Sequence, residues 1–260
     1  MSKLPLSQTQ ARRLRTLRNR RQREETGLFL AEGIRVVEDL LDSRVVIESV
    51  VISPSLEDGQ RGRDLLRRLP EGIAVHATTE AGLRQLAETE SPQGIVVVAE
   101  IPRDTLPSVL PDGTLVAVLD AVQDPGNLGT LVRGADAFGV AAVVALPGTV
   151  DFWNGKTVRS AAGACFRVSL VRCTVPELAR WAADLDVTLW GTAAGGVDVG
   201  SVPRPARLAL VLGNEGAGLG SEVGALVSER VGIPMRGTAE SLNVAMAGTL
   251  LMYLLTSTAR

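Results

Sequence analysis

The sequence predicts an α/β protein in two parts: a small N-terminal α/β domain over residues 1–104 and a second domain, 105–260, built on a parallel sheet. Three observations predict it. Apolar runs of strand length alternate along the chain with segments whose apolar residues recur at i, i+3 and i+4. Residues 101–114, IPRDTLPSVLPDGT, hold three prolines and a glycine and read as a linker. Past it the strands become fully apolar, as in LVAVLD, which is the pattern of a buried parallel sheet.

The elements follow in order. A helix is expected over about Ser7 to Glu25, with Leu14 and Leu17 on its apolar side. LFLAEG (28–33) reads as a strand and IRVVEDLLD as a helix with an apolar stripe. IESVVIS, IAVHAT and GIVVVAE read as strands, separated by the helical patterns RDLLRRL and EAGLRQLAE. In the second part LVAVLD (115–120) is followed by the loop AVQDPGN, a helix over about 127–139 and the strand AAVVALP. A helix over about 155–164 precedes the strand FRVSLV. VPELARWAADL is a helix, VTLWGT and LALVLG are strands, SEVGALVSE is a helix and VGIP a strand. A terminal helix runs over about 242–257. This βαβ alternation predicts a parallel sheet covered on both faces.

Composition narrows the chemistry. The chain has 260 residues and is 45% hydrophobic, enough to bury a core. No apolar run reaches the roughly 18 residues of a membrane span, and the polar, Arg-rich N-terminus has no signal-peptide core. Two cysteines, Cys165 and Cys173, without CxxC spacing fit a reduced, cytoplasmic protein. The single histidine, His76, lies in a strand-like apolar run and reads as structural, which counts against His-based metal sites and Ser/His/Asp triads. Acidic clusters with ligand spacing are absent, so no metal is expected. The net charge of −2 hides an asymmetry. The first 23 residues carry Lys3, Arg12, Arg13, Arg15, Arg18, Arg20, Arg21 and Arg23 and no acid. Arginine forks bind phosphate, so a polyanion partner is expected, with Arg12, Arg15, Arg18 and Arg20 as RNA-binding candidates. The bland reading is a solvated helix face.

Two glycine-rich stretches stand near the C-terminus, LVLGNEGAGLG (210–220) and IPMRGTAESLNVAMAG (233–248). The first superficially resembles a dinucleotide-binding turn, but such a turn follows the first strand of its domain, and this one follows a late strand. No GxxxxGK[ST] is present. A nucleotide enzyme using EGAGLG for phosphates is therefore an alternative with two counts against it.

Together with NLGTLVRGADAFG (127–139), these stretches resemble, in order and spacing, the three motifs of the SpoU (TrmH-like) RNA 2′-O-ribose methyltransferases. KTVRSAAGACFRV (156–168) and SPQGI (91–95) are similar to further segments of that family, and the front of the chain resembles its L30e-like RNA-binding domain. The resemblance covers essentially the whole chain. It implies a deep C-terminal trefoil knot whose loops hold S-adenosylmethionine (SAM), with Gly213, Ile233 and Leu242 at the main-chain cofactor positions. It also implies a homodimer formed through the knot helices, and the nearly all-round apolar final helix suits that role.

The polar residues at the family's signature positions are Asn127, Arg133, Glu215, Ser241 and Asn243, and all are present. In the family the arginine is proposed to activate the 2′-hydroxyl. A guanidinium with a pKa above about 12 is a poor base, so phosphate binding and stabilisation of a developing alkoxide suit Arg133 better. Glu215 is left to accept the proton or to orient Arg133. The bland readings are that Asn127 and Ser241 only cap helices and that Arg133 only pairs with Glu215 or Asp136. The family's RNA substrates are large-subunit ribosomal RNA or tRNA, and an N-terminal domain favours ribosomal RNA. A non-catalytic RNA-binding or ribosome-assembly protein is the remaining alternative.

Overall fold

The structure is a computed structural model that describes residues 3–238 and 240–257. The chain packs as two units. One runs up to Pro102 and takes in Asp151–Phe166; the other consists of Arg103–Val150 and the chain from Arg167 on. The sequence boundary at 104/105 therefore carries an exception, since residues 151–166 leave the second unit and return. The irregular stretch 103–114 is packed into the second unit. Asp104 accepts from the Leu170 N–H at 3.0 Å, the Trp181 indole donates to the Pro107 carbonyl at 2.8 Å, and Leu110 is buried.

The first unit contains β1 (Lys3–Pro5), α1 (Gln8–Thr16), α2 (Arg20–Thr26), β2 (Leu28–Glu32), α3 (Ile34–Leu41) and β3 (Ile47–Ile52). It continues through α4 (Ser55–Asp58), α5 (Gln60–Arg68), β4 (Ala74–Ala77), α6 (Glu80–Leu86) and β5 (Ile95–Glu100). Its sheet has the order β1-β4-β3-β5-β2, with β5 antiparallel to both its neighbours. Leu14 and Leu17 are buried beside Val51, Leu83, Leu86, Val96 and Val98.

The single helix expected over 7–25 is two. Ser7 caps α1 in a reciprocal capping box with Gln10, while the Asn19 side chain accepts from the Arg21 N–H at 2.9 Å and starts α2. Gly27, with φ of 68°, ends α2. Arg23 is 2% exposed. It donates to the Leu17 and Arg18 carbonyls at 2.7 and 2.8 Å, so the guanidinium fills the break between the helices. It also grips Asp151 at 2.7 Å, and Arg159 of α8 (Gly155–Ser160) donates to Glu32 at 2.5 Å. Phe29 lies 4.5 Å from Trp153 and 6.2 Å from Phe166, ring centre to ring centre. These contacts anchor 151–166 in the first unit.

The second unit contains β6 (Leu115–Leu119), α7 (Pro125–Ala137), β7 (Ala142–Ala145), β8 (Ser169–Arg172), α9 (Val175–Asp184) and β9 (Thr188–Asp198). Then come β10 (Leu208–Leu212), α10 (Ser221–Gly224), β11 (Glu229–Gly232) and α11 (Val244–Ser257). All strand pairs are parallel, in the order β11-β9-β10-β6-β7-β8. β6 and β10, LVAVL and LALVL, are buried along their whole length, as central strands covered on both faces must be. Because the sheet is parallel, the loops leaving β6, β9, β10 and β11 all emerge at one edge, where α/β sheets place their ligands.

Helices α7 and α11 pack closely. A Cβ on Gly248 would stand 2.5 Å from a Leu131 methyl and 2.8 Å from a Leu212 methyl, so any larger residue would require these buried side chains to shift.

Candidate active site

The stretch 210–220 is the end of β10 and a tight loop. Backbone N–H groups of Asn214 and Gly218 donate to each other's carbonyls, each at 2.9 Å. The Gly216 and Ala217 N–H groups donate to the Asn214 side-chain oxygen, both at 3.0 Å, and the Gly220 N–H to Asp120 at 2.7 Å. Four of the six N–H groups of EGAGLG are thus spent inside the protein, which counts against a phosphate cradle there. Gly213 is required for a related reason. A Cβ there would stand 2.5 Å from the Gly218 carbonyl carbon, so its freedom serves the loop's own return.

The loop walls a cavity of about 280 Å³. Gly213, Ile233 and Leu242, the three expected cofactor positions, line it, together with Glu215 and Ser241. A third wall, Thr192–Gly195, was not anticipated. β11 pairs with β9 at Trp190 and Gly191 and again at Val197 and Asp198, so residues 192–196 bulge out of the sheet into the site. The glycine pair in TAAGG was the available signal. The cavity floor is apolar, from Leu212, Val231 and Leu251. Among the described residues its acidic side chains are Glu215 and Glu240, and no basic side chain lines it. That donor set suits a cationic sulfonium ligand with a flat apolar ring and is unsuited to a triphosphate.

The polar candidates assemble beside this cavity. Asn127 stands in the first turn of α7, and its Nδ2 donates to Glu215 Oε1 at 2.7 Å. Asn243 Nδ2 donates to Asn127 Oδ1 at 3.1 Å. Asn243 Oδ1 accepts from the N–H groups of Ala245 and Met246 at 2.9 and 3.3 Å. Residues from three separate motifs thus form one directed chain, Asn243 to Asn127 to Glu215. The amide orientations are fixed by their partners.

The capping roles differ from the sequence reading. Asp124 caps α7, accepting from the Asn127 N–H at 2.8 Å, and Asn243 caps α11. The side chains of Asn127 and Ser241 are left for the site. Arg133 is exposed two turns along α7, about 9 Å further by helical rise, on the same ridge as Asn127 and Thr130. It has no polar partner among the described residues: Asp136 is paired with Arg167 at 2.8 Å and Glu215 with Asn127. The structural pairing considered for Arg133 is therefore not made. Cys173 offers no thiolate, because burial, with Glu177 adding to it, pushes its thiol up to about 11.

The four RNA-binding candidates lie in the first unit and are all exposed. Arg12 has no polar partner among the described residues. Arg15 donates to Gln85 at 3.2 Å, Arg18 to the Ala87 carbonyl, and Arg20 pairs with Glu24 at 2.7 Å.

Comparison with known proteins identifies the family. Residues 114–253 match the SpoU rRNA Methylase family, and residues 8–97 match the MRM3-like substrate binding domain. The chain is 37% identical over 238 residues to the 23S rRNA (guanosine(2553)-2′-O)-methyltransferase RlmP of Bacillus subtilis, covering 91% of this chain and 92% of that protein. It is 34% identical over 252 residues to the 23S rRNA (uridine(2479)-2′-O)-methyltransferase of Streptomyces viridochromogenes, covering 91% and 85%. The crystal structure of the SpoU methyltransferase AviRb from Streptomyces viridochromogenes, in complex with the cofactor AdoMet, superposes with a TM-score of 0.87 at 30% identity, over 97% of this chain and 98% of that one. The AdoMet-bound rRNA methyltransferase from Sinorhizobium meliloti gives 0.83 at 29% identity, over 99% and 98%. With the motifs, the parallel sheet and more than half its length matched, the chain belongs to the SpoU rRNA methylase family.

Proposed function

We propose that this protein transfers a methyl group from SAM to a ribose 2′-hydroxyl of 23S rRNA. The observation that carries the reading is the hydrogen-bonded chain from Asn243 through Asn127 to Glu215, which ends on a cavity walled by Gly213, Ile233 and Leu242. Those three hold the cofactor, which when bound supplies a methyl group made electrophilic by its sulfonium. The chain's own residues do the rest. Arg133, exposed and without a protein partner among the described residues, binds the phosphate beside the target ribose and stabilises charge developing on the 2′-oxygen. Glu215, held by Asn127, takes the hydroxyl proton. Ser241 shapes the cavity wall, and Asn243 fixes both the start of α11 and the Asn127 amide.

Further parts of the reading rest on the same family. Residues 1–104 bind the RNA and 105–260 carry the reaction, with 151–166 the exception noted above. Arg12, Arg15, Arg18 and Arg20 contact phosphates. The C-terminal chain is knotted, and two copies pair through α11. Ribosomal RNA as substrate places the work in the cytoplasm; among the described residues no helix is long and apolar enough to cross a membrane. Mapping of 2′-O-methylated positions in 23S rRNA and tRNA from cells with and without this protein tests the proposal. Loss of one 23S methylation is expected. Unchanged maps of both RNAs, despite SAM binding by the purified protein, would leave the non-catalytic reading.

A further inference from the structure

Asn214 and Asp120 belong to none of the roles assigned so far. Asn214 stands between Gly213 and Glu215, and both ends of its side chain are engaged. Its Oδ1 accepts from Gly216 and Ala217 at 3.0 Å, and its Nδ2 donates to the Ala121 carbonyl at 2.9 Å. The hairpin of the loop is already closed by the two backbone bonds between Asn214 and Gly218. The Nδ2 bond therefore does something the turn does not need: it ties the loop to a different segment.

That segment is held in an unusual state. Ala121 has a φ of 55°, a left-handed conformation that an alanine keeps only where its surroundings impose it. The residue before it, Asp120, is buried and accepts from the Gly220 N–H at 2.7 Å. Consecutive residues at the exit of β6 thus grip both ends of the loop that carries Glu215. The same exit leads directly to Asp124, the cap of α7, and so to Asn127. Loop and helix hang from one short stretch, 120–124, and the 2.7 Å bond between Glu215 and Asn127 is where they meet.

We infer that Asn214 is a positioning residue for methyl transfer: by tying its loop to Ala121 it sets where the Glu215 carboxylate stands against Asn127. This rests on the methyltransferase reading, in which Glu215 takes the proton. Asn214 also lines the cavity, so its effect on SAM affinity is read separately; at saturating SAM its effect on methyl transfer must vanish when Glu215 can no longer act.

A double-mutant cycle tests this, with single-turnover methylation at saturating SAM and RNA, calorimetric SAM affinity and melting temperature read on each protein. N214D keeps an acceptor for the two amides and sets a second oxygen against the Ala121 carbonyl. Alone it is expected to slow methyl transfer about 10- to 100-fold, the size of effect that a misplacement of about 1 Å produces. In an E215Q background it is expected to add no more than about threefold. Equal losses in both backgrounds, or an unchanged rate for N214D, would overturn the inference while leaving the methyltransferase reading in place. A wild-type rate for E215Q alone would instead remove the assigned role of Glu215, and this inference with it. If N214D does not fold, N214S, neutral and with a hydroxyl acceptor, takes its place with the same outcomes.

Discussion

Arg133 is exposed on α7, and Asp136, one turn on, is occupied by Arg167. Removing Arg133 therefore breaks no bond among the described residues, and Arg133→Ala is expected to melt within a degree or two of the wild type. SAM affinity should stay within a few-fold, while single-turnover methylation falls by about 10²–10³, the usual loss for one preorganised donor. Arg133→Lys should recover little, because an ammonium cannot reach phosphate and hydroxyl as a planar fork does. Normal turnover by a stable Arg133→Ala protein would sink the assignment. At this scale the sequence was legible as placement: four of the five expected polar residues and the three expected cofactor positions come together at or beside one cavity, with Arg133 further along α7. It was less legible for caps. Asn127 and Ser241 looked like caps, yet α7 begins at Pro125 and α11 at Val244, so Asp124 and Asn243 hold those positions. A shift of two residues in a helix start changes which side chain meets the free N–H groups, and local pattern does not resolve helix ends that finely.

Most elements were legible because helix and strand periods are local. The break at Leu17–Asn19 and the 192–196 bulge were not: a distant residue holds the arginine that fills the first, and the second lies where β9 and β11 change register. Arg23, whose guanidinium fills the break at the Leu17 and Arg18 carbonyls, is itself held by Asp151, 128 residues away. No window of sequence contains both. The buried pair makes a specific prediction. Asp151→Ala leaves the Arg23 charge at 2% exposure without its counter-ion and should cost about 3–5 kcal/mol in urea unfolding. Replacing both residues with apolar side chains of similar volume should recover most of that loss. A change under about 1 kcal/mol for Asp151→Ala would mean the guanidinium is satisfied by the Leu17 and Arg18 carbonyls alone.

At the scale of the whole molecule, α11 presents two different faces. Val244, Ala245, Leu251, Met252 and Leu255 are buried. Met246 and Tyr253 are 57% and 51% exposed, with Leu250 between them at 44%, and Phe138 of the second unit lies 5.5 Å from Tyr253, ring centre to ring centre. An apolar stripe of this kind marks an interaction surface. The expected occupant is the same helix of a second copy. Met246→Glu combined with Leu250→Glu should shift a dimer to monomer in sedimentation velocity at micromolar concentration, weakening association at least about 100-fold. Wild-type protein that sediments as a monomer would refute the dimer. The sequence showed this helix to be apolar on nearly every side, but which of its sides faces the core depends on where Gly248 lets it settle on Leu131 and Leu212.

The excursion of Asp151–Phe166 has a consequence for biosynthesis. A ribosome delivers Arg23 and Phe29 early, but Asp151, Trp153 and Phe166, which neutralise the one and cover the other, only after β6, α7 and β7 have been made. At about 5–20 residues per second that interval is several seconds. The leading unit waits through it with an uncompensated guanidinium and an uncovered aromatic ring. The first unit, with the contacts described above, is therefore complete only after residue 166 has been made, behind the first three elements of the second.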